Sequence, residues 1–472
     1  MLKRDLRSHD ILTPQEEDKI HEATLKVLQK SGVRIVSNEA RSYFEKAGVR
    51  VDDERVYPDQ DTLDEYLQAA PAEFELKARN PDNNVTIGGD STVLVPGYGS
   101  PFVKDFGGQR RSSTYEDYCN FTRLAQHFDS YDVVGGVLVE PTDVPDRARH
   151  GRMLEAAITL SDKCLMGSSM GEQKARECMD MAAIIFESEK FVEENTVFIT
   201  LINTNSPLQF DKRMTDALQV YAEKGQALCI AAMAMTGTTA PATVPASLVQ
   251  QNAEILTGVL LTQLVNPGTP VIYGAASSMV DLRGGELALG SPETTKMFNG
   301  TAQMARRYNL PSRGGGALTD SLFMDAQAGY EAMLNLLGGV MGGFNFMLHT
   351  AGLLENYMAM SFEKFVMDAE ISEMVTRYME GLDVTAETLA ADVINEVGPG
   401  GNFIRHEHTF NHMKDLREPF LSVREKYLSG EVQPRAHERA HEKYQEIIAD
   451  FSPPDLPGGI EKELQNYIRG LT

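Results

Sequence analysis

The stretch from residue 313 to 331 reads RGGGALTDSLFMDAQAGYE and joins an arginine to three glycines and a helix-like run. A glycine-rich turn that feeds a helix is a frequent phosphate cradle. This segment lacks the GK[ST] of a P-loop. Gly314, Gly315 and Gly316 can instead form a simple turn, or leave space for a large planar group to approach the backbone. The residue types by themselves leave these three interpretations open.

From about residue 132, short apolar runs alternate with segments of helical periodicity. Continuous apolar strands separated by amphipathic helices are typical of a parallel sheet covered on both faces. The predicted strands are 133–139, 163–168, 197–202, 227–233, 269–275, 308–314 and 344–348, with an eighth near 362–367. The predicted helices between them are 146–160, 171–189, 211–224, 246–265, 292–307 and 325–340.

Seven or eight such units in succession favour an α/β fold with a closed (β/α)8 TIM barrel. An open doubly wound sheet is the alternative, but no GxGxxG follows any of the strands. We predict an N-terminal, mostly helical appendage over 1–125, a barrel core over 126–370 and a C-terminal helical extension over 371–472 that packs on the barrel. In the appendage, 12–32 reads as a helix with Thr13 as N-cap.

Active sites of such barrels lie at the carboxyl ends of the strands. The side chains expected there include few acids, one or two bases, and several amides and hydroxyls. No GxSxG nucleophile motif and no strand-end lysine accompanies them, so acyl-enzyme and Schiff-base chemistry are disfavoured. The residues are Glu140, Ser168, Ser169, Asn203, Asn205, Met233, Met235, Tyr273, Ser277, Arg313, Gly314 to Gly316, and His349.

Composition limits the partners. The 472 residues carry a formal net charge of −24 with a pI near 4.9, which argues against nucleic acid. The four cysteines form no CxxC pair and suit a reducing compartment. The first residues, MLKRDLRSHDILTPQEED, lack the apolar core of a secretory signal, and no apolar run reaches membrane-spanning length. We therefore expect a cytoplasmic protein without a membrane partner, and a homo-oligomer as the default for a barrel of this size.

Three stretches, GYGSPFVKDFGG at 97–108, TDSLFMDAQAGYE at 319–331 and GPGGNFIRHEHTFNH at 398–412, resemble the trimethylamine:corrinoid methyltransferase family. The resemblance covers nearly the whole chain and implies a (β/α)8 barrel. It implies an enzyme that moves a methyl group from a methylated amine to the cobalt of a separate corrinoid protein. Relatives specific for methylamines carry pyrrolysine, expected near 314–320, whereas this sequence has only standard residues. It therefore resembles the members that demethylate quaternary amines.

A quaternary ammonium is an activated methyl donor whose leaving group is a neutral amine. The resemblance therefore implies a site that positions the substrate and excludes water, with no certain catalytic acid or base. Glycine betaine is the favoured substrate. Proline betaine, carnitine, γ-butyrobetaine and choline remain alternatives, as do a barrel lyase or isomerase with His349 as base and a non-catalytic betaine-binding protein.

Aromatic rings bind quaternary ammonium groups, and a betaine carboxylate requires hydrogen-bond donors. The chain has no Trp, so Tyr and Phe must serve. The predicted rings are Tyr98, Phe102, Tyr273 and Phe362, and the predicted donors are His349, Arg313 and Asn203. The resemblance assigns Gly314, Gly315 and Gly316 to an open mouth for the corrin ring. Core packing is the alternative for each ring, and helix capping for Asp320 and Asp325.

His406, His408 and His412 have an HxHx3H spacing that suggests zinc. A quaternary amine has no proton for zinc to remove, so we predict no metal here and favour packing of this loop against the barrel mouth or a neighbouring subunit. No DxHxxG corrinoid-binding signature occurs in the sequence. We therefore expect no tightly bound cofactor, with the cobalamin carried by a cognate corrinoid protein.

Overall fold

The computed structural model of the protein describes residues 1–6, 8–424 and 434–471. Eight parallel strands curl into one sheet, and the antiparallel strand Leu2–Lys3 pairs with the first of them. The barrel strands are β1 (Ser91–Leu94), β2 (Val133–Gly135), β3 (Cys164–Met166), β4 (Phe198–Asn203), β5 (Ala227–Ala232), β6 (Val271–Ala275), β7 (Ser312–Arg313) and β8 (Phe346–Met347).

The sheet is closed into a barrel. Neighbouring strands pair in parallel from β2 to β8, and β8 then pairs with β1. Between β1 and β2, the Asp132 amide donates to the Leu94 carbonyl at 3.0 Å and the Leu94 amide donates to the Asp132 carboxylate at 3.1 Å. This confirms the predicted (β/α)8 barrel.

A helix follows each barrel strand and covers it from outside. These helices are α1 (Tyr115–His127), α2 (Asp146–Leu160), α3 (Glu172–Ile185), α4 (Lys212–Glu223), α5 (Val244–Val265), α6 (Pro292–Arg307), α7 (Ala326–Gly342) and α8 (Phe362–Met379). A short helix, Glu189–Glu194, follows α3. The six predicted barrel helices and the seven predicted strands from residue 133 onward are confirmed, with ends shifted by a few residues.

The prediction of an eighth strand near 362–367 is wrong, because that segment forms the start of helix α8. Its buried apolar residues, Phe362, Phe365, Val366 and Ala369, recur at helical spacing and form one face of the helix. The missing strand is β1, which lies within the segment 1–125. The division into 1–125, 126–370 and 371–472 stays a prediction, although one barrel strand comes from the first of these segments.

The N-terminal segment contains helices and strands, not helices alone. The helix Pro14–Lys30 begins after Thr13, whose hydroxyl and backbone amide both donate to Glu16, and this confirms the predicted cap. The other elements are helices Asn38–Lys46 and Gln60–Leu67, the 3-10 turn Pro81–Asn83, and strands Val33–Ile35, Arg50–Asp52, Arg55–Tyr57, Glu73–Leu76 and Val85–Gly88.

The barrel interior is filled by inward side chains of the strands and closed at the end opposite the mouth. Phe74, Leu76, Val85 and Ile87 of the hairpin before β1 belong to the same buried apolar cluster as the inner residues of the strands. Cys164, the first residue of β3, donates its thiol to the Leu76 carbonyl at 3.3 Å. The hairpin therefore plugs the amino-terminal ends of the strands, and only the other end is open to a substrate.

Short strands extend the loops at the mouth. After β1, Phe102–Lys104 and Arg110–Ser112 form a sheet with Leu353–Leu354 and Ala359–Met360, which follow β8. Met235–Thr236, Ser278–Asp281 and Glu286–Leu287 form a second small sheet, and Gln209–Phe210 pairs with Val33–Ile35. The carboxyl-terminal helices are Ala386–Leu389, Ala391–Val397, Glu407–His412, Ala436–Ala449 and Ile460–Leu471. No helix among the described residues is long and apolar enough to cross a membrane.

A buried ion pair supports the loops that follow β7 and β8. Lys364 and Asp368 on α8 lie 2.5 Å apart, with side chains 1% and 0% exposed. The lysine also donates to the Ala317 carbonyl, and the carboxylate accepts from the Gly352 amide. Burial raises the pKa of Asp368 to about 6, against the opposing charge of Lys364. Both loops are therefore tied to the helix layer beneath the mouth.

We expect Lys364→Met to destabilise the protein by about 3–5 kcal/mol, because it leaves the Asp368 carboxylate buried without a counter-charge. The double variant Lys364→Met, Asp368→Leu should recover most of this loss. Urea unfolding followed by circular dichroism measures both effects. Lys190→Met is the matched control, since Lys190 forms an exposed pair with Glu194 at the same helical spacing. A single variant as stable as this control would contradict the expected role of the pair.

Candidate functional site

Arg313 carries a buried positive charge that no carboxylate of the described residues pairs with. It is 1% exposed, at the mouth end of β7. One terminal nitrogen, Nη1, donates to the Ala275 carbonyl at 2.7 Å, and Nη2 lies 3.3 Å from His349 Nδ1. In the described part of the chain the guanidinium forms no ion pair, and its buried Nε lacks a hydrogen-bond partner. A buried cation in this state is strongly biased towards binding an anion.

His349 lies beside Arg313 at the end of β8 and is held as a neutral imidazole. Burial, together with the charge of Arg313, places the pKa of His349 well below the usual value of 6.5, against a hydrogen bond to the Tyr98 backbone. Its backbone has a φ of 71°, and its amide donates to the Pro96 carbonyl at 3.0 Å. The neutral ring can accept from Arg313 without adding a second charge to the site.

Two tyrosines complete this group. The ring of Tyr357 lies 4.8 Å from that of His349, measured between centroids. Tyr98, in the loop after β1, packs so closely on Gly136 that a Cβ at that glycine would lie 2.6 Å from the tyrosine ring. Burial raises the pKa of both phenols to about 12, and the charge of Arg313 opposes the rise in each case. Both rings therefore stay neutral and lie within the field of the guanidinium.

The turn that presents Tyr357 is conformationally strained. Glu355, Asn356 and Tyr357 have φ values of 54°, 53° and 73°, a left-handed conformation that non-glycine residues avoid. Lys104 and Arg110 bind the Glu355 carboxylate, and Ser100 donates to the Tyr357 carbonyl at 2.7 Å. Sequence reasoning missed Tyr357. The available signal was its place in the loop between β8 and α8, only eight residues after His349.

The glycines after Arg313 do not form an open mouth, which corrects the expectation for Gly314, Gly315 and Gly316. All three are buried against β8 and its neighbours. A Cβ would lie 2.4 Å from the Phe344 ring at Gly314, 2.8 Å from Met347 Cε at Gly315, and 2.6 Å from the His349 carbonyl at Gly316. Their small size lets the two loops pack together, so they position Arg313 and His349.

Asn203 lines a cavity of about 330 Å³ that Tyr98 also lines. The volume falls in the range of small-molecule sites. The cavity lies among the loops that follow β1 to β4, and its remaining walls combine apolar side chains with scattered polar groups. Besides Asn203 and Tyr98, its lining includes Gly136, Glu140, Met166, Ser168, Ser169 and Met214. Tyr98 therefore lines this cavity and is also hydrogen-bonded through its backbone to His349 of the Arg313 group.

Two of the predicted rings lie in the helix layer, away from this group. Tyr273 is fully buried on the helix side of β6, where its hydroxyl donates to Asn252 at 2.9 Å. Phe362 stacks between Phe121 and Tyr444 in the helix layer. Both are packing residues and leave the candidate set, because alternate strand residues and helix faces point away from the barrel axis.

Phe102 lies in the loop hairpin after β1, with the Arg110 guanidinium 4.6 Å above its ring. Its aromatic face is therefore already occupied by a cation.

Asp325 caps α7 by accepting from the Ala328 amide at 3.1 Å, as the capping interpretation predicted. Asp320 accepts from the Leu289 amide at 2.6 Å.

The three histidines of the HxHx3H set lie far from Arg313 in sequence, in the segment after α8. His406 caps the helix Glu407–His412 by accepting from the His408 amide, and His412 lies 2.7 Å from Asp415. Across the described ranges, no group of three or more His, Cys, Asp or Glu side chains is arranged to hold a metal ion.

The family described as trimethylamine methyltransferase (MTTB) matches residues 1–470. The glycine betaine methyltransferase of Desulfitobacterium hafniense (strain Y51) is 45% identical over 465 residues, covering 98% of this chain and 97% of that protein. This chain belongs to the MTTB family. The trimethylamine methyltransferase MttB of D. hafniense (strain DSM 10664 / DCB-2) is 31% identical over 455 residues, covering 95% of this chain and 91% of that protein.

Membership of the MTTB family makes the chain a methyltransferase. A third relative, the proline betaine:corrinoid methyltransferase of Eubacterium limosum, is 30% identical over 487 residues, covering 97% of this chain and 96% of that protein. Among solved structures, the monomethylamine methyltransferase MtmB of Methanosarcina barkeri has a TM-score of 0.57 at 11% identity, covering 98% of this chain and 89% of that chain. This structural likeness supports the barrel fold alone.

We expect the stability of this MTTB-family protein to fall below about pH 6.5 partly through His349, because the unfolded chain binds a proton there that the folded chain excludes. The unfolding free energy of both proteins should fall between pH 7.5 and pH 5.5. The fall should be smaller in His349→Gln than in wild type, by up to ~1.4 kcal/mol. Urea unfolding at the two pH values measures this, with the exposed His9→Gln as control. An equal loss in His349→Gln and His9→Gln would show that His349 titrates normally.

Proposed function

We propose that this protein transfers a methyl group from glycine betaine to the Co(I) of a separate corrinoid protein. The observation that supports this substrate is the buried Arg313 guanidinium, which pairs with no carboxylate among the described residues and has two neutral tyrosine rings within its field. A betaine supplies both missing partners, an anion for the arginine and a quaternary ammonium for the rings. The relatives named for glycine betaine and proline betaine support the same class.

Each residue then has a defined role. Arg313 binds the carboxylate through Nε and Nη2, and neutral His349 orients the guanidinium. Tyr98 and Tyr357 hold the trimethylammonium by cation–π attraction and exclude water. The Lys364–Asp368 pair keeps the two loops in register. A reduced corrinoid supplies the nucleophile, so the chain needs no general base, and its own work is to fix one N-methyl group in line for transfer.

The partner would dock at the mouth of the barrel. Four large apolar side chains in the loops after β1, β7 and β8 are exposed there, namely Phe106, Leu322, Phe323 and Met358, at 47%, 55%, 56% and 42%. Exposed apolar groups of this size mark interaction surfaces. We place the carrier here because the opposite end of the barrel is plugged by the hairpin Glu73–Gly88. This arrangement also fits a cytoplasmic enzyme without a tightly bound cofactor.

The direct test is a methyl-transfer assay with purified protein, a cognate corrinoid protein reduced to Co(I), and a panel of glycine betaine, proline betaine, carnitine, choline and trimethylamine. Absorbance reports methyl-Co(III). Methylation with glycine betaine and not with trimethylamine is expected. If transfer from another betaine is faster, that betaine is the substrate instead of glycine betaine. Transfer from trimethylamine alone would refute the betaine site.

The role of Arg313 predicts selective loss of carboxylate recognition. In calorimetric titrations, Arg313→Met should weaken glycine betaine binding roughly 10–150-fold, the value of a charged hydrogen bond of about 1.5–3 kcal/mol. Binding of choline, which has no carboxylate, should change little. The control is Arg283→Met, which removes the same charge from an exposed arginine near the mouth. If Arg313→Met weakens both ligands alike, the arginine has only a structural role.

The ring assignment is tested by a conservative and a disruptive change at each tyrosine. Tyr98→Phe and Tyr357→Phe should retain glycine betaine affinity, whereas Tyr98→Leu and Tyr357→Leu should weaken it by about 0.5–2 kcal/mol, the range of one cation–π contact. Titrations with glycine, which lacks the methyl groups, separate loss of the cage from loss of the carboxylate site. Leu variants that bind as tightly as the Phe variants would exclude the rings.

A further inference from the structure

The cavity lined by Asn203 and Tyr98 contains a buried histidine that the Arg313 group does not use. His150, on α2, is 6% exposed and lines this cavity. Its Nε2 lies 2.6 Å from Glu177 Oε2 on α3, whereas its Nδ1 has no hydrogen-bond partner in the described part of the chain. Buried polar atoms without a partner are rare in folded proteins, and each one marks a place where a ligand or water can bind.

The contact with Glu177 decides which nitrogen of the ring carries the proton. A ring nitrogen and a carboxylate oxygen approach to 2.6 Å with a proton between them, which favours the tautomer protonated on Nε2. Gln173 donates to the other carboxylate oxygen at 2.8 Å and holds Glu177 in this orientation. Burial, together with the charge of Lys174, lowers the pKa of His150 against the charge of Glu177, so the ring stays neutral. Nδ1 therefore presents a lone pair, and the carboxylate behind the ring favours a cationic donor.

Lys174 supplies a complementary charge on the wall of the same cavity. Its side chain is half-buried and forms no hydrogen bond or ion pair with any described residue. The other charged side chains of the lining pair with one another, since Glu140 and Asp146 both lie 2.7 Å from the Arg149 guanidinium. The cavity thus offers a free acceptor and a free cation. A molecule that satisfies both carries a cationic N–H group and a carboxylate.

The proposed methyl transfer generates such a molecule. When an N–CH3 bond of glycine betaine breaks, the methyl group goes to cobalt and the electron pair stays on nitrogen. The tertiary amine then takes a proton from water and becomes zwitterionic dimethylglycine, with an N–H group that the substrate lacks. We propose, on the basis of the proposed function, that the cavity is a product subsite in which His150 Nδ1 accepts from this N–H group and Lys174 binds the carboxylate.

Tyr98 connects this subsite to the substrate group. It lines the cavity, its backbone is hydrogen-bonded to His349, and its phenol lies within the field of Arg313. A quaternary ammonium has no N–H group to donate to Nδ1, so glycine betaine gains no hydrogen bond from His150. The subsite therefore distinguishes product from substrate by one proton, and product held there leaves Arg313 free for the next substrate molecule.

Calorimetric titration of the full chain tests the subsite. Glycine betaine should bind wild type once per chain, and dimethylglycine should still bind when glycine betaine is saturating. The double variant His150→Phe, Glu177→Gln keeps a ring, removes the acceptor and leaves no buried carboxylate unpaired. It should weaken this dimethylglycine binding roughly 10–150-fold, the value of one hydrogen bond to a charged group. Lys174→Met should weaken it similarly through the carboxylate, and Lys190→Met, at an exposed lysine outside the cavity, is the matched control.

The titrations with glycine betaine separate the two ways in which the result can fail. Full competition between the two ligands in wild type, or an equal loss of glycine betaine binding in the cavity variants, would show one shared site and overturn the inference. Wild type that binds glycine betaine but no dimethylglycine beside it overturns the subsite and leaves the proposed function intact. If glycine betaine itself does not bind, the proposed function fails and the subsite fails with it. Thermal unfolding shows whether each variant is folded.

Discussion

The structure is organised around a buried guanidinium that forms no ion pair with any described residue of its own chain. Arg313 is almost fully enclosed, and its neighbours are a carbonyl, a neutral imidazole and two neutral phenols. Leaving a buried charge unpaired is expensive, so a guanidinium in this state is a candidate site for an anionic ligand. In the function that we propose, this single interaction selects a substrate with a carboxylate. The tyrosines select a cation at the other end of the substrate, and together the two requirements describe a betaine.

Much of the barrel near the mouth serves to hold that charge in place. Arg313 spans from β7 to the end of β6, His349 follows β8, and Tyr98 follows β1, so four adjacent strands contribute to one group. Glycines after Arg313 allow the β7 and β8 loops to touch, and the Lys364–Asp368 pair anchors both from below. The strained turn at Glu355 is fixed by Lys104 and Arg110. Rigid loops of this kind reduce the entropy that substrate binding must overcome.

A site without a general acid or base suits a reaction in which the leaving group is a neutral amine. We propose that the open end of the barrel, with its exposed aromatic and aliphatic side chains, is the face that receives the carrier protein.

Periodicity and residue type alone determined the barrel, its helices from residue 146 onward, and the presence of Arg313 and His349 at strand ends, because these follow from local pattern and from the common direction of parallel strands. Tertiary structure decided the rest. It placed β1 at Ser91–Leu94, before residue 126, where a long loop with two short strands separates it from its helix and hides the alternation of strand and helix that marks the other units. It turned Tyr273 and Phe362 towards the helix layer, buried the glycines, and brought in Tyr357 through a left-handed turn. Those outcomes depend on which side chains meet across loops distant in sequence, and no local pattern encodes that.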